Sequence, residues 1–134
     1  MTRYMLDTNI VGHLLKAHPA VTAHVLAVPM ATLCISSITE GALRFGLAKR
    51  PEATRLHRAL WAFWQRVDVL PWDRPAAARY GVLRATMERA GKTLGSLDLL
   101  IAAHALSVDA VLATNDRAFL LVPELTVENW TTRP

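Results

Sequence analysis

The chain has 134 residues and a mass of 14.8 kDa, enough for one domain with a real core but short of two. Its 52% hydrophobic content argues against a disordered chain, and no apolar run approaches the roughly 20 residues of a membrane span. Fifteen Lys and Arg against eleven Asp and Glu give a net charge of +4 and a pI near 9.8, which suits an Arg-rich soluble surface as well as a polyanion partner.

In chain order, Arg3-Tyr4-Met5-Leu6 reads as a short buried strand ending on Asp7, with no basic-then-apolar signal pattern before it. A helix from about Ile10 to Lys16 follows and breaks at His18-Pro19. Ala20 to Ala27 gives a second short helix. Ala31 to Ser36 is apolar and β-branched and reads as a second strand. It holds the single cysteine, Cys34, which cannot form an internal disulfide and reads as a small buried hydrophobe in a reducing cytoplasm.

Ser37-Ile38-Thr39-Glu40 opens a third helix, weakened in its second half by Gly46. Pro51 restarts a helix to about Gln65, in which Leu56, Leu60, Phe63 and Trp64 form an apolar stripe. Val67 to Leu70 is a third strand, and Trp72-Asp73-Arg74-Pro75 starts a long helix that Gly91 closes. Ser96 to Ser107 is strongly apolar and is expected to be a central helix. Ala110 to Thr114 is the fourth strand, Asn115-Asp116-Arg117 leads into a short helix, and Leu125 to Trp130 is a last, edge strand. Strands alternating with helices predict an α/β domain over residues 1–134, with a parallel sheet and right-handed crossovers.

On this map four carboxylates fall at one end of the sheet. Asp7 ends the first strand, Glu40 and Asp98 lie in first helical turns, and Asp116 follows the fourth strand by one turn. Each has a bland reading as a helix cap: Ser37-x-x-Glu40 is a capping box on paper, Ser96 could cap the helix of Asp98, and Asp73 is read as a cap. The set is harder to explain that way. Two like charges about 4 Å apart cost roughly 1 kcal/mol in water and about 4 at an effective dielectric near 20, so four clustered carboxylates call for a cation or raised pKa values. With those four withdrawn into one site, fifteen basic side chains against seven remaining acids leave a body of +8, suited to a polyanion drawn toward a metal. Oxygen-only ligands select Mg²⁺ or Mn²⁺, while histidines 13, 18, 24, 57 and 104 show no zinc-ligand spacing.

Met5-Leu6-Asp7-Thr8-Asn9-Ile10, Thr39-Glu40 with Arg44-Phe45-Gly46, Gly95 to Ala105, and Thr114 to Phe119 with Glu128-Asn129-Trp130 resemble, in order, the four signature blocks of PIN-domain ribonucleases, and among them VapC toxins. The resemblance implies a PIN-like three-layer fold with a five-stranded parallel sheet. It implies a Mg²⁺- or Mn²⁺-dependent endoribonuclease, a homodimer, a VapB-type antitoxin that fills the cleft, and a structured RNA target such as a tRNA. Asp7, Glu40, Asp98 and Asp116 carry over as the acidic quartet. Asn9 and Thr114 carry over as groups that orient carboxylates or the attacking water. Asp7, Asp98 and Asp116 are expected as direct or water-mediated metal ligands, and Glu40 as a ligand or the group positioning the water.

Arg44 is either an i,i+4 partner of Glu40 or a phosphate contact, and Lys49, Arg50 and Lys92 are candidate contacts to RNA or antitoxin. Trp61, Phe63 and Trp64 read as core or dimer surface rather than base-stacking platforms, Trp72 as packing at a strand end, and His104 as a satisfied core histidine. Three other readings stand beside the toxin: RNA maturation without an antitoxin, a phosphoacceptor signalling domain, and a non-catalytic nucleic-acid-binding domain. The phosphoacceptor reading wants paired acids after the first strand, and this chain has one.

Overall fold

A computed structural model describes residues 1–134. Its elements are β1 (Arg3–Leu6), α1 (Thr8–Leu15), α2 (Pro19–Leu26), β2 (Leu33–Ser36), α3 (Ser37–Ala48), α4 (Thr54–Arg66), β3 (Asp68–Leu70), α5 (Arg74–Arg89), α6 (Ser96–Ser107), β4 (Ala110–Ala113) and β5 (Val127–Glu128). The five strands form one parallel sheet in the order β3-β2-β1-β4-β5, as expected for this class. The chain steps outward from β1 to β2 and β3 on one side, then returns to place β4 and β5 on the other. That reversal opens a crevice beyond the carboxyl ends of β1 and β4.

The short strands alternate their side chains between two cores. Leu6, Ile35 and Ala113 face one, with Ile10, Val11, Val21, Leu60, Phe63 and Trp130. Met5, Cys34 and Leu112 face the other, with Leu83, Met87, Ile101, Ala102 and Phe119. Burial on both faces explains why the strands read as continuous apolar runs.

Several boundaries differ from the sequence reading, each for a local reason. The first helix starts at Thr8 because Asp7 caps it. The second strand starts at Leu33, since Thr32 bonds back to the Pro29 carbonyl through both its N–H (2.9 Å) and its hydroxyl (2.6 Å) and makes a 3-10 turn. Pro51 does not begin α4, which starts at Thr54. The last strand shortens to two residues paired with Leu112 and Ala113, because Trp130 turns inward and is buried rather than extending the edge.

Ser36, not Ser37, caps α3, its Oγ accepting the Ile38 N–H at 3.1 Å. The same Oγ lies 2.7 Å from Nδ1 of buried His104 on α6 and can donate its one proton there. Burial holds His104 below the ordinary histidine range, against an opposing pull from Asp73. Ser37 accepts the Trp72 N–H at 3.0 Å, and the Trp72 indole donates to the Leu100 carbonyl at 2.9 Å. These bonds fasten α6 to the start of α3 and the end of β3. Asp73 caps α5, accepting from the Ala76 N–H.

Candidate acidic active site

Asp7 is fixed by the sheet itself. Its N–H donates to the Ala113 carbonyl at 3.0 Å, so the residue leaves β1 while still laced to β4. One carboxylate oxygen, Oδ1, accepts the Thr8 N–H at 2.8 Å and caps α1. The other, Oδ2, accepts the Thr114 hydroxyl at 2.8 Å and the Asn9 amide at 3.2 Å. Thr114 in turn accepts the Asp116 N–H at 3.0 Å, and Asp116 Oδ1 caps the next 3-10 turn through the Ala118 N–H at 2.9 Å. One buried hydroxyl therefore links two acids that stand 109 residues apart in the chain.

Asp98 arrives differently. Its helix is capped by Gly95 with no side-chain bond, and the Asp98 carboxylate makes no hydrogen bond of its own. A capping role therefore accounts for part of Asp7 and Asp116 and for none of Asp98.

Asp7, Asp98 and Asp116 line one pocket of about 380 Å³ with Thr8 and Asn9, walled by Ile38, Ala42, Leu97 and Ile101. A cleft of about 370 Å³ between α5 and the following chain, lined by Arg79, Leu83 and Glu124 among others, brings no group of acids together. Chemistry, not size, singles out the acidic pocket. Asp7 is pushed above the ordinary carboxylate range, first by burial and further by the charge of Asp116, against the pull of its hydrogen bonds to Thr114, Thr8 and Asn9. Asp98 is pushed up by burial, then by Asp7 and Asp116. The charge of Asp116 thus reaches Asp7, and those of Asp7 and Asp116 both reach Asp98.

Glu40 is not brought to this pocket. With 3.6 residues per turn, Ile38 and Ala42 share the face of α3 that looks into it, and Glu40 is turned about 200° from Ile38. Arg44, one turn on, holds it instead, with Nη2 at 2.9 Å and Nε at 3.0 Å from Glu40 Oε2. Of the two sequence readings of Arg44, the i,i+4 pair is the one observed. The guanidinium also sits over the Trp64 ring at 4.7 Å and the Trp61 ring at 5.7 Å. Lys49 lies over Phe45, and the Arg50 carbonyl contacts the His57 ring, both beyond the far end of α3. Lys92 lines a separate cleft with Tyr80 and Arg84. None of these three lines the acidic pocket.

No three His, Cys, Asp or Glu side chains close round a single point as a ready-made shell. The donor set suits an ion that keeps much of its water, such as Mg²⁺, which takes one or two carboxylates directly and reaches the others through bound waters. Asn9 supports that fit. Its amide nitrogen is spent on Asp7, while its Oδ1 is buried with no donor and would accept from a metal-bound water. Sequence reasoning missed the apolar wall and the Ser36–His104 contact. The four-residue spacing of Ile38 and Ala42 was the available signal for the wall.

Thr114→Val keeps the shape and removes the hydroxyl. It should cost about 1–3 kcal/mol of stability, because it leaves the Asp116 N–H unpaired and Asp7 short of one donor. It should also lower any metal-dependent activity by about 10–100-fold. Denaturant unfolding and cleavage rates on the same preparation check both.

The family model described as PIN domain matches residues 4–125. The tRNA(fMet)-specific endonuclease VapC of Shigella flexneri is 36% identical over 131 residues, covering 97% of this chain and 99% of that protein. Ribonuclease VapC2 of Rickettsia felis is 35% identical over 130 residues, covering 95% and 97%. Among solved structures, VapBC2 from Rickettsia felis bound to a DNA fragment from its promoter superposes with a TM-score of 0.89 at 33% identity, over 96% of this chain and 99% of that one. DNA-bound VapBC from Salmonella typhimurium gives 0.89 at 34% identity, over 97% and 99%. The chain belongs to the PIN-domain family. Nucleases of that family in general depend on a divalent metal ion.

Proposed function

We infer that this protein is a metal-dependent endoribonuclease and the toxin of a VapBC-type toxin–antitoxin pair. The observation that carries the reading is the convergence of Asp7, Asp98 and Asp116 on one pocket at the reversal of a parallel sheet. The names of the relatives support RNA as substrate, and the VapBC complexes among the similar structures support a VapB-type partner. The Shigella relative's name makes a tRNA the first target to test. A homodimer and a Mg²⁺ or Mn²⁺ ion belong to the same proposal.

In this reading Asp7 is the anchored carboxylate, its orientation set by Thr8, Asn9 and Thr114. Asp116 offers its uncapped oxygen, and Asp98 offers both of its own. When bound there, a divalent ion supplies a Lewis acid for the phosphoryl oxygen and a lowered pKa for a bound water. Asn9 Oδ1 orients a water proton, and the Ile38, Ala42, Leu97 and Ile101 wall lowers the local dielectric and strengthens the charge interactions. Glu40, paired with Arg44 and outside the pocket lining, is given no role at the metal in this reading. Incubation with total bacterial RNA should give new 5′-phosphate and 3′-hydroxyl ends with Mg²⁺ or Mn²⁺ and none with EDTA. RNA left intact under every metal tested would end the enzyme reading.

The raised carboxyls make a second check. A carboxyl whose folded pKa lies above its unfolded value of 3.8 costs stability when ionised. Below 3.8 both states are protonated and the cost is gone. As pH rises above 3.8 the cost is imposed, and it is complete once the pH has passed the raised folded values. A bound cation offsets it there. Mg²⁺ or Mn²⁺ at 100 times its Kd should therefore add about 2.7 kcal/mol at pH 7 to 8, and the gain should shrink as the pH falls toward 4. Paired thermal melts with metal and with EDTA across that range test it. A metal shift of the same size at pH 4 and pH 8 would contradict the site.

A further inference from the structure

Residues 44–66 hold six Lys and Arg (Arg44, Lys49, Arg50, Arg55, Arg58 and Arg66) against one acid, Glu52, a balance of +5 that exceeds the +4 of the whole chain. Within that stretch lies an aromatic corner. Trp61 and Trp64, three residues apart on α4, meet edge to face with centroids 5.4 Å apart and planes at 84°. Arg44 reaches across from α3 over both rings, nearer to Trp64 than to Trp61, and Trp61 stays 52% exposed. The Arg44 Nε and Nη2 are engaged by Glu40, so Nη1 has no partner and the side chain is still half exposed. Arg58 is exposed one turn before Trp61 on the same helix. A half-exposed indole with an unspent guanidinium nitrogen beside it is suited to take a base by stacking and its phosphate by charge.

We propose that the Arg44–Trp61–Trp64 corner is a subsite for an unpaired nucleotide of the RNA, outside the acidic pocket. The proposal rests on the ribonuclease reading above. Ile38 and Ala42 face the pocket and Glu40 and Arg44 the other side of α3, so the corner lies across that helix from the acids. A second copy of this chain is the weaker occupant, because two such faces would bring two +5 stretches together. The preference that follows is for RNA with unpaired residues over a fully paired duplex.

The test is anisotropy of a fluorescein-labelled single-stranded RNA 12-mer and of a duplex of the same length, in EDTA so that nothing is cut. Loss of one stacked base is worth about 1–3 kcal/mol, so Trp61→Ala should bind the single strand roughly 5–150-fold more weakly. Trp61→Phe should stay within about threefold of the unsubstituted protein, and duplex affinity should not change. In the unsubstituted protein the 12-mer should also shield an indole from acrylamide quenching, and in Trp61→Phe that shielding should vanish. Undiminished single-strand binding by Trp61→Ala, or an equal loss for the duplex, would overturn the subsite. So would light scattering in which Trp61→Ala loses self-association but keeps its RNA affinity. A chain that cuts RNA while failing these tests loses only the subsite, whereas one that neither binds nor cuts loses the ribonuclease reading as well.

Discussion

Asp7→Asn should lower RNA cleavage by about 10²–10³-fold, the usual loss when one preorganised charged or polar group is removed from a reacting site, and should raise the melting temperature of the metal-free protein at neutral pH. The two effects have one cause. Asp7 is 4% exposed and its carboxyl is held up by burial and by Asp116, so its charge is a liability to the fold and an asset only to a cation. The amide oxygen can keep the Thr8 N–H. Its nitrogen cannot accept from the Thr114 hydroxyl or the Asn9 amide as Oδ2 does, so the loss of those two bonds offsets part of the gain from removing the buried charge. Asp98→Asn is the companion, with the same loss of cleavage and no hydrogen bond to disturb. Cleavage at the unsubstituted rate by a folded Asp7→Asn protein would remove Asp7 from the chemistry. A large fall in melting temperature would mean that the carboxylate was structural.

Trp130→Ala should cost about 3–5 kcal/mol, a large share of the 5–15 typical of a whole domain. Trp130 is 1% exposed. Its indole stacks on His24 with centroids 5.0 Å apart and planes at 6°, and meets Tyr4 of β1 at 5.5 Å. Its N–H donates to Glu128 at 2.9 Å, and His24 reaches on to the Thr132 carbonyl at 2.7 Å. The ring therefore fastens the chain after β5 to both β1 and α2. No neighbour can collapse into a hole of that size without breaking those contacts. Urea unfolding of Trp130→Ala and Trp130→Phe separates lost volume from the lost N–H, and a cost below 1 kcal/mol for the alanine would mean that the ring packs loosely.

What could be read from the sequence follows from what each signal measures. Strands buried on both faces and helices between them give a strong apolar period, so the parallel α/β sheet and its element order were visible. Asp7 and Asp116 were visible because they sit where a strand stops, and Asp98 because it opens an otherwise apolar helix. Glu40 went astray because position in a first helical turn says nothing about which way round the helix a side chain points. The phase of α3 is set by Leu43 and Leu47 in the core and by Ile38 and Ala42 at the pocket, and that phase turns Glu40 toward Arg44. The inward turn of Trp130 was hidden for a related reason. A run from Leu125 to Trp130 is as apolar going into a core as it is along an edge, and only the partner ring of His24, more than a hundred residues earlier, decides between them.

Cys34 has a use that its chemistry would not suggest. It lies on β2, next to the central strand, 2% exposed, and burial pushes its thiol up to about 12. Such a thiol stays protonated and out of reach near neutral pH, so oxidants and alkylating reagents should pass the native molecule by. Because the chain has no other cysteine, the rate at which a maleimide or disulfide reagent marks this protein counts how often the middle of the sheet comes apart, giving an internal clock for whole-molecule opening without any engineered label.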